Sequence, residues 1–317
     1  MISKGYSIST VLTFLLMFCA SVPEIHAQQM QFADLEYPFE VEYQRVGNGQ
    51  HVAYIDEGQG LAVILIHGLG SYIPAWKQNL PALSQSHRVV ALDLPGFGKS
   101  SKEADSYSIP FFAETVAQLQ DSLGIDNAIW VGHSMGGQIA MRGALSYPEK
   151  ISKLVLISPA GFETFTDQEA ATMTKYVTPA SIKATPDSMI RQTFRTAFYD
   201  FPEEAQFMAD DRVAIREADG FDGYARGYAK SVQAMLEGPV FDELSNISKP
   251  ALVLFGKQDA LIHNRQLHPG LSTQKVAETG VDKLGNARLK MFDQAGHFVH
   301  FERAETVNKE ILNFINQ

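Results

Sequence analysis

The sequence predicts an α/β protein: a mostly parallel, doubly wound sheet with a group of helices inserted between two of its strands. Three observations predict it. Continuous apolar runs recur at 62–66, 89–92, 128–131, 154–157, 251–255 and, more weakly, 289–292. Such runs suit strands covered on both faces. Helical patterns, for example 111–123 and 138–146, separate the first four, which implies right-handed crossovers between parallel strands. Between Pro159 and Pro250 no such run occurs.

Along the chain, the first segment reads as an export signal. Lys4 precedes an apolar stretch at 11–18, and Ile25-His26-Ala27 offers a small-residue cleavage site. The stretch is too short to span a bilayer. Cleavage after Ala27 leaves 290 residues (317 − 27). Cys19, the single cysteine, is then lost, and with it any disulfide. Lipidation of Cys19 is disfavoured by the bulky Phe18 before it. The expected location is secreted or periplasmic. Residues 28–38 read as an extended leader.

A hairpin follows. In 39–46, Phe39, Val41 and Tyr43 alternate with Glu40, Glu42 and Gln44, and Gly47-Asn48-Gly49 supplies a turn before Val52 and Tyr54. Alternation means one wet face, hence a sheet edge. The buried strands then alternate with helices up to about residue 161. Residues 162–243 carry aromatics at helical spacing, including Phe194, Phe198 and Phe201, then Tyr224 and Tyr228. They predict a helical cap, with the sheet domain divided into 28–161 and 244–317.

Composition excludes several function classes. The chain is 45% hydrophobic and 20% charged, with a formal net charge of −10. That is a globular composition, and its acidity disfavours a phosphate-backbone partner such as nucleic acid. After the leader no stretch is apolar enough to cross a membrane, so no stable membrane insertion is expected once the signal is removed.

The chemistry concentrates after the strand at 128–131. Gly132-His133-Ser134-Met135-Gly136-Gly137 is a G-x-S-x-G turn opening a helix. So sharp a turn strains Ser134 and leaves no room for side chains at 132 and 136. It presents the hydroxyl at a helix amino end, where negative charge is favoured. A serine needs a base, and His297 lies just beyond the last strand, with His300 as its competitor. His51, His87, His263 and His268 read as surface or capping residues. The acid that orients the base is expected at Asp259, after the strand at 251–255, with Asp293 as the alternative. The Met135 and Leu69 N–H groups are the expected donors to an oxyanion, Leu69 lying in His67-Gly68-Leu69-Gly70.

These segments, together with Asp93-Leu94-Pro95-Gly96-Phe97-Gly98-Lys99-Ser100, resemble the α/β-hydrolase superfamily in order and spacing over nearly the whole chain after residue 39. The resemblance implies a hydrolase with Ser134, Asp259 and His297 as its triad and a helical lid. Epoxide hydrolases and haloalkane dehalogenases of this fold carry an aspartate where this chain has Ser134. Gly98-Lys99-Ser100 is no phosphate loop, because Asp93 stands where that motif needs glycine. His297, His300 and Glu302 do not form a metal motif, and neither metal nor cofactor is expected.

The leading expectation is a secreted hydrolase of small carboxylic esters. A second is a carbon–carbon bond hydrolase of the ring-cleavage-product type, whose cap the stretch around Arg191 and Arg212 resembles. Arg212 would then grip substrate, although it also reads as a surface partner of Asp210 and Asp211. Those enzymes usually show tryptophan after the histidine, where this chain has Phe298, and they act in the cytoplasm. A third is a silent receptor that binds in the cap pocket.

Overall fold

The computed structural model describes Met1, residues 29–47 and residues 49–317. The expected signal peptide, Met1 apart, and the turn residue Asn48 lie outside the described residues. Eight strands form one sheet: β1 (Glu42–Val46), β2 (Gln50–Glu57), β3 (Ala62–Ile66), β4 (Arg88–Leu92), β5 (Ala128–His133), β6 (Ile151–Ile157), β7 (Ala251–Gly256) and β8 (Ala287–Phe292). Their order is β1-β2-β4-β3-β5-β6-β7-β8. β2 pairs antiparallel with β1 and β4, and every other neighbouring pair is parallel.

The continuous apolar runs have a direct cause. In β3, Ile64 and Ile66 enter one core and Val63 and Leu65 the other; in β5, Trp130 and Ile129 divide in the same way. Alternate side chains of a strand point to opposite faces, and here both faces are covered. On the first face pack α2 (Ile109–Ser122), α3 (Met135–Ser146) and α9 (Thr273–Leu284). On the second pack α1 (Leu80–Leu83), α10 (Val299–Glu302) and α11 (Ala304–Ile315). Ser108 caps α2 by accepting from the Phe111 N–H at 3.2 Å. Trp130, fully buried, donates its indole N–H to Gln120 of α2 at 2.9 Å.

The edges differ from expectation. β1 begins at Glu42, and Tyr43 is 54% exposed although its alternation partners Phe39 and Val41 are partly buried. The inward residue is Val46. β1 is the outermost strand, so the layer that covers Phe39 and Val41 has ended by Tyr43. The segment before it is not extended throughout: Phe32–Asp34 form a 3-10 turn, and Phe32 and Leu35 are buried.

Between β6 and β7 the chain forms α4 (Asp167–Tyr176), α5 (Pro179–Ala184), α6 (Asp187–Ala197), α7 (Gln206–Ala214) and α8 (Phe221–Glu237). Thr166 and Glu169 close the start of α4 as a capping box. Ala197, Phe198, Ala205 and Met208 pack with Phe298 and Phe301, which follow β8. The inserted helices therefore meet the sheet domain at the carboxyl end of its strands, where a site in an open α/β sheet is built.

Candidate functional site

Ser134 sits between β5 and α3 with φ 54° and ψ −119°, a region L-residues rarely adopt. The surrounding glycines explain why it is tolerated. A Cβ at Gly132 would lie 2.2 Å from the Gly136 carbonyl oxygen, and one at Gly136 would lie 2.1 Å from the Ile66 carbonyl oxygen. The chain can turn this sharply only without side chains there. The Ser134 N–H donates to the Ile157 carbonyl at 2.9 Å, and its own carbonyl accepts from Gly137 and Ala160. The turn is thereby fixed from both sides, with the serine partly exposed.

Asp259 and His297 come together from the loops after β7 and β8. Asp259 has no solvent exposure, and its Oδ2 meets His297 Nδ1 at 2.8 Å. Its Oδ1 accepts the Leu261 and Ile262 N–H groups at 2.8 and 2.9 Å. Both oxygens are thus engaged and the carboxylate cannot rotate freely. Gly256 lets the two loops touch: a Cβ there would lie 2.2 Å from the Gly296 carbonyl oxygen. The alternative acid, Asp293, lies apart from the imidazole on an exposed ion pair with Lys257 at 2.8 Å. The competing base, His300, is buried between Trp76 and His133, each ring centroid 4.5 Å away. Neither of its nitrogens has a hydrogen-bond partner among the described residues. Burial, aided by His297, pushes it down to about 3.

The loop after β3 lies against the serine. A Cβ at Gly68 would stand 3.1 Å from Ser134 Cβ. No hydrogen bond among the described residues uses the Leu69 or Met135 N–H. Two histidines that the sequence reading left without a role hold this neighbourhood. His67 Nδ1–H donates to the Gly68 carbonyl at 2.7 Å while its Nε2 accepts from the Leu94 N–H at 3.0 Å, and burial lowers it to about 4. His133 Nε2–H donates to the His297 carbonyl at 3.0 Å; burial, then His300 and His297, holds it well below the usual histidine range. Both are therefore neutral braces. The available signal was a histidine at the end of an otherwise fully apolar strand.

Other expectations change. His87 and His263 are buried, and only His51 is exposed. His268 bonds Glu163 and lies 3.4 Å from Glu169. Arg212 is not a surface partner of its acidic neighbours: Asp210 pairs with Arg191, and Asp211 accepts from the Tyr72 hydroxyl. The Arg212 guanidinium lies over Tyr224 at 4.8 Å and Phe221 at 5.0 Å. Its Nη1 is buried with no partner among the described residues, in the wall of a cavity also lined by Gly70 and Tyr224. The guanidinium donates a side-chain hydrogen bond to Tyr224, and Asp211 also lines the cavity; the nitrogen left without a partner favours an anionic or strongly dipolar guest.

The remaining motifs are absorbed by structure. The Lys99 N–H is turned onto the Asp93 carboxylate at 2.7 Å, which also accepts the Ile73 N–H at 2.8 Å. Glu302 accepts from the Gly296, Tyr199 and Asp200 N–H groups at 2.6, 2.8 and 3.1 Å, so its oxygens are already committed.

Known proteins resemble the chain as a whole. Residues 62–304 match the family described as alpha/beta hydrolase fold. The chain is 32% identical over 260 residues to the dihydrolipoyllysine-residue acetyltransferase component of the acetoin cleaving system of Pseudomonas putida, covering 81% of this chain but only 64% of that protein. It is 28% identical over 278 residues to a 2-hydroxy-6-oxo-6-phenylhexa-2,4-dienoate hydrolase of Comamonas testosteroni, covering 84% of this chain and 91% of the relative. A crystal structure of a probable hydrolytic enzyme from Pseudomonas aeruginosa superposes with a TM-score of 0.78 at 26% identity, over 88% of this chain and 95% of that one. The family match spans most of the chain, and the chain belongs to the α/β-hydrolase fold family.

Proposed function

We propose that the chain is a serine hydrolase of small carboxylic esters. Ser134 is the nucleophile, His297 the base, Asp259 the acid that orients it, and the Leu69 and Met135 N–H groups the oxyanion donors. The Asp259–His297 pair carries the reading. A buried carboxylate on Nδ1 fixes the imidazole's tautomer and leaves Nε2 to accept a proton. His297 takes the Ser134 proton as the oxygen attacks the acyl carbon. The tetrahedral oxyanion is held by the two N–H groups, and His297 then protonates the leaving alcohol. Water repeats the sequence on the acyl-enzyme. The helices inserted between β6 and β7 act as the cap, and the mature enzyme, starting at Gln28, works outside the cytoplasm.

One observation favours a second reaction. The unpaired Arg212 nitrogen suits the carboxylate of a ring-cleavage product, and one relative is named as a hydrolase of such a dienoate. Turnover of p-nitrophenyl esters and of a vinylogous 1,5-diketone acid by the purified mature chain tests both. Ester cleavage that disappears in Ser134→Ala supports the first reading. Efficient cleavage of the diketone acid that needs Arg212 makes the second the better one. Product release no faster than buffer on either compound would remove both in favour of a receptor.

A further inference from the structure

The cavity beside Arg212 is not walled by the sheet domain and the inserted helices alone. With Gly70, which follows Leu69 in the loop after β3, and with Asp211, Arg212 and Tyr224, its lining includes Phe32 and Leu35, which precede the first strand. Segments near a chain end fray unless something ties them down, and residues 31–37 are tied to both bodies of the molecule. On the sheet-domain side, the Tyr37 hydroxyl donates to Asp93, and its ring meets Tyr72 edge-on at 6.0 Å. The Lys102 ammonium, itself held by the Gly98 carbonyl at 2.6 Å, lies 4.2 Å over the Phe32 ring. On the helical side, Gln31 Oε1 accepts the Asp219 N–H at 2.8 Å, just before α8. The Phe32 ring lies 6.0 Å from that of Tyr224. The turn between is closed by Asp34, whose N–H donates to the Gln31 carbonyl at 3.0 Å and whose carboxylate accepts the Gln31 N–H at 2.8 Å.

We propose that residues 31–37 form a wall of the substrate pocket, and that Phe32 and Leu35 set the size of the hydrocarbon group the pocket accepts. The proposal rests on the serine-hydrolase reading of Ser134. Both side chains are buried, at 7% and 4% exposure. Neither offers a hydrogen bond, so the part of a substrate that meets them is apolar, while the charged part of the lining is Arg212 and Asp211. A single methylene in such a wall changes selectivity by about tenfold or more.

The experiment compares kcat/KM for p-nitrophenyl acetate and octanoate in the wild type, Phe32→Ala, Leu35→Ala and Leu35→Phe. The ratio of the two substrates does not depend on how much of each variant is folded. We expect the octanoate-to-acetate ratio to rise about tenfold in the two alanine variants and to fall in Leu35→Phe. Ratios within twofold of the wild type in all three would overturn the wall. Calorimetric titration with acetate and octanoate reads the same wall without turnover. If the wild type cleaves no ester, a tenfold gain in octanoate affinity in the alanine variants supports the wall and discards the esterase reading. No gain there discards the wall as well.

Discussion

Replacing Ser134 with alanine should abolish turnover, by about 10⁶ in rate, while the chain still folds, because the turn is held by its backbone. Asp259→Asn should cost less, about 10⁴, since geometry survives but the tautomer is wrong. Asp293→Asn should change turnover by less than about threefold, because its carboxylate serves an exposed pair with Lys257. Steady-state kinetics on one ester ranks all three, and a damaging Asp293→Asn would reverse the assignment of the acid. Arg212→Ala should leave neutral esters within about threefold and cost acidic substrates about tenfold or more. At this scale the sequence is legible where chemistry dictates spacing. Ser134 is marked by its glycines, and Asp259 and His297 by their positions just past buried strands. Arg212 is legible only through the resemblance of its stretch to a ring-cleavage cap, since nothing in Asp210-Asp211-Arg212 itself shows that Arg191 and Tyr72 take the two acids and leave the cation to line the cavity. His67 and His133 escape notice for the same reason: their roles arise from burial that only the assembled loops create.

Among the elements, the nucleophile turn has the least tolerance. Gly136→Ala would put a methyl 2.1 Å from the Ile66 carbonyl oxygen, forcing β3 and α3 apart. We expect a loss of about 2–3 kcal/mol or more, read as a melting temperature lower by several degrees. Gly270→Ala, with nothing within 4 Å, should change stability by less than about 0.5 kcal/mol and serves as its control. Five of the six apolar runs became the doubly covered strands they announce, because such strands leave an unambiguous pattern; the sixth, the weaker run at 289–292, lies in β8, an edge strand whose Arg288 and Lys290 face solvent. The edges were harder. In β1 the alternation is regular, but which face is covered depends on where its neighbours end, and Tyr43 lies beyond that cover. The turn at Phe32–Asp34 was signalled only by Phe32 and Leu35, three residues apart in a polar stretch, too short a pattern to count as a helix.

For the whole molecule, acid should be the main threat. His67 and His300 are pushed down to about 4 and about 3 by burial, and His133 is lowered as well. The unfolded chain binds protons at these sites below 6.5 while the folded chain does not. Their contribution is therefore complete above 6.5 and lost as the pH falls through the folded values. Asp93 acts the other way: burial raises it to about 6, so it favours the fold in acid and opposes it at neutrality. Asp211 and Glu302, also raised by burial, act with Asp93; the three fully buried histidines outweigh these partly exposed acids and Asp93, and the melting temperature should drop between pH 6.5 and 4. His300→Phe should shrink that drop, and an unchanged pH profile in the variant would contradict the account. Amino-terminal sequencing of chain exported by its native host should begin at Gln28; a start at Met1 or at a lipidated Cys19 would refute the export proposal.

The end of α6 is bolted to the loop of His297. The His297 N–H donates to the Ala197 carbonyl at 2.7 Å, Glu302 gathers the Tyr199 and Asp200 N–H groups, and Phe198 stacks on Phe298 at 4.8 Å and 2°. α8 is held firmly as well: its Phe221 and Tyr224 lie in the main core, and Gln138 of α3 donates to the Met235 and Gly238 carbonyls at 3.0 and 3.1 Å. By contrast α5, with no buried residue, is joined to α8 by the solvated pair of Lys183 with Asp222, which contributes little. A door so mounted is fixed along the histidine and α8, and its free edge is α5. Whatever motion admits a guest leaves the base in register, so opening and chemistry need not compete. Amide exchange should accordingly be slow at Tyr199 and His297 and fast at the solvent-facing amides of α5.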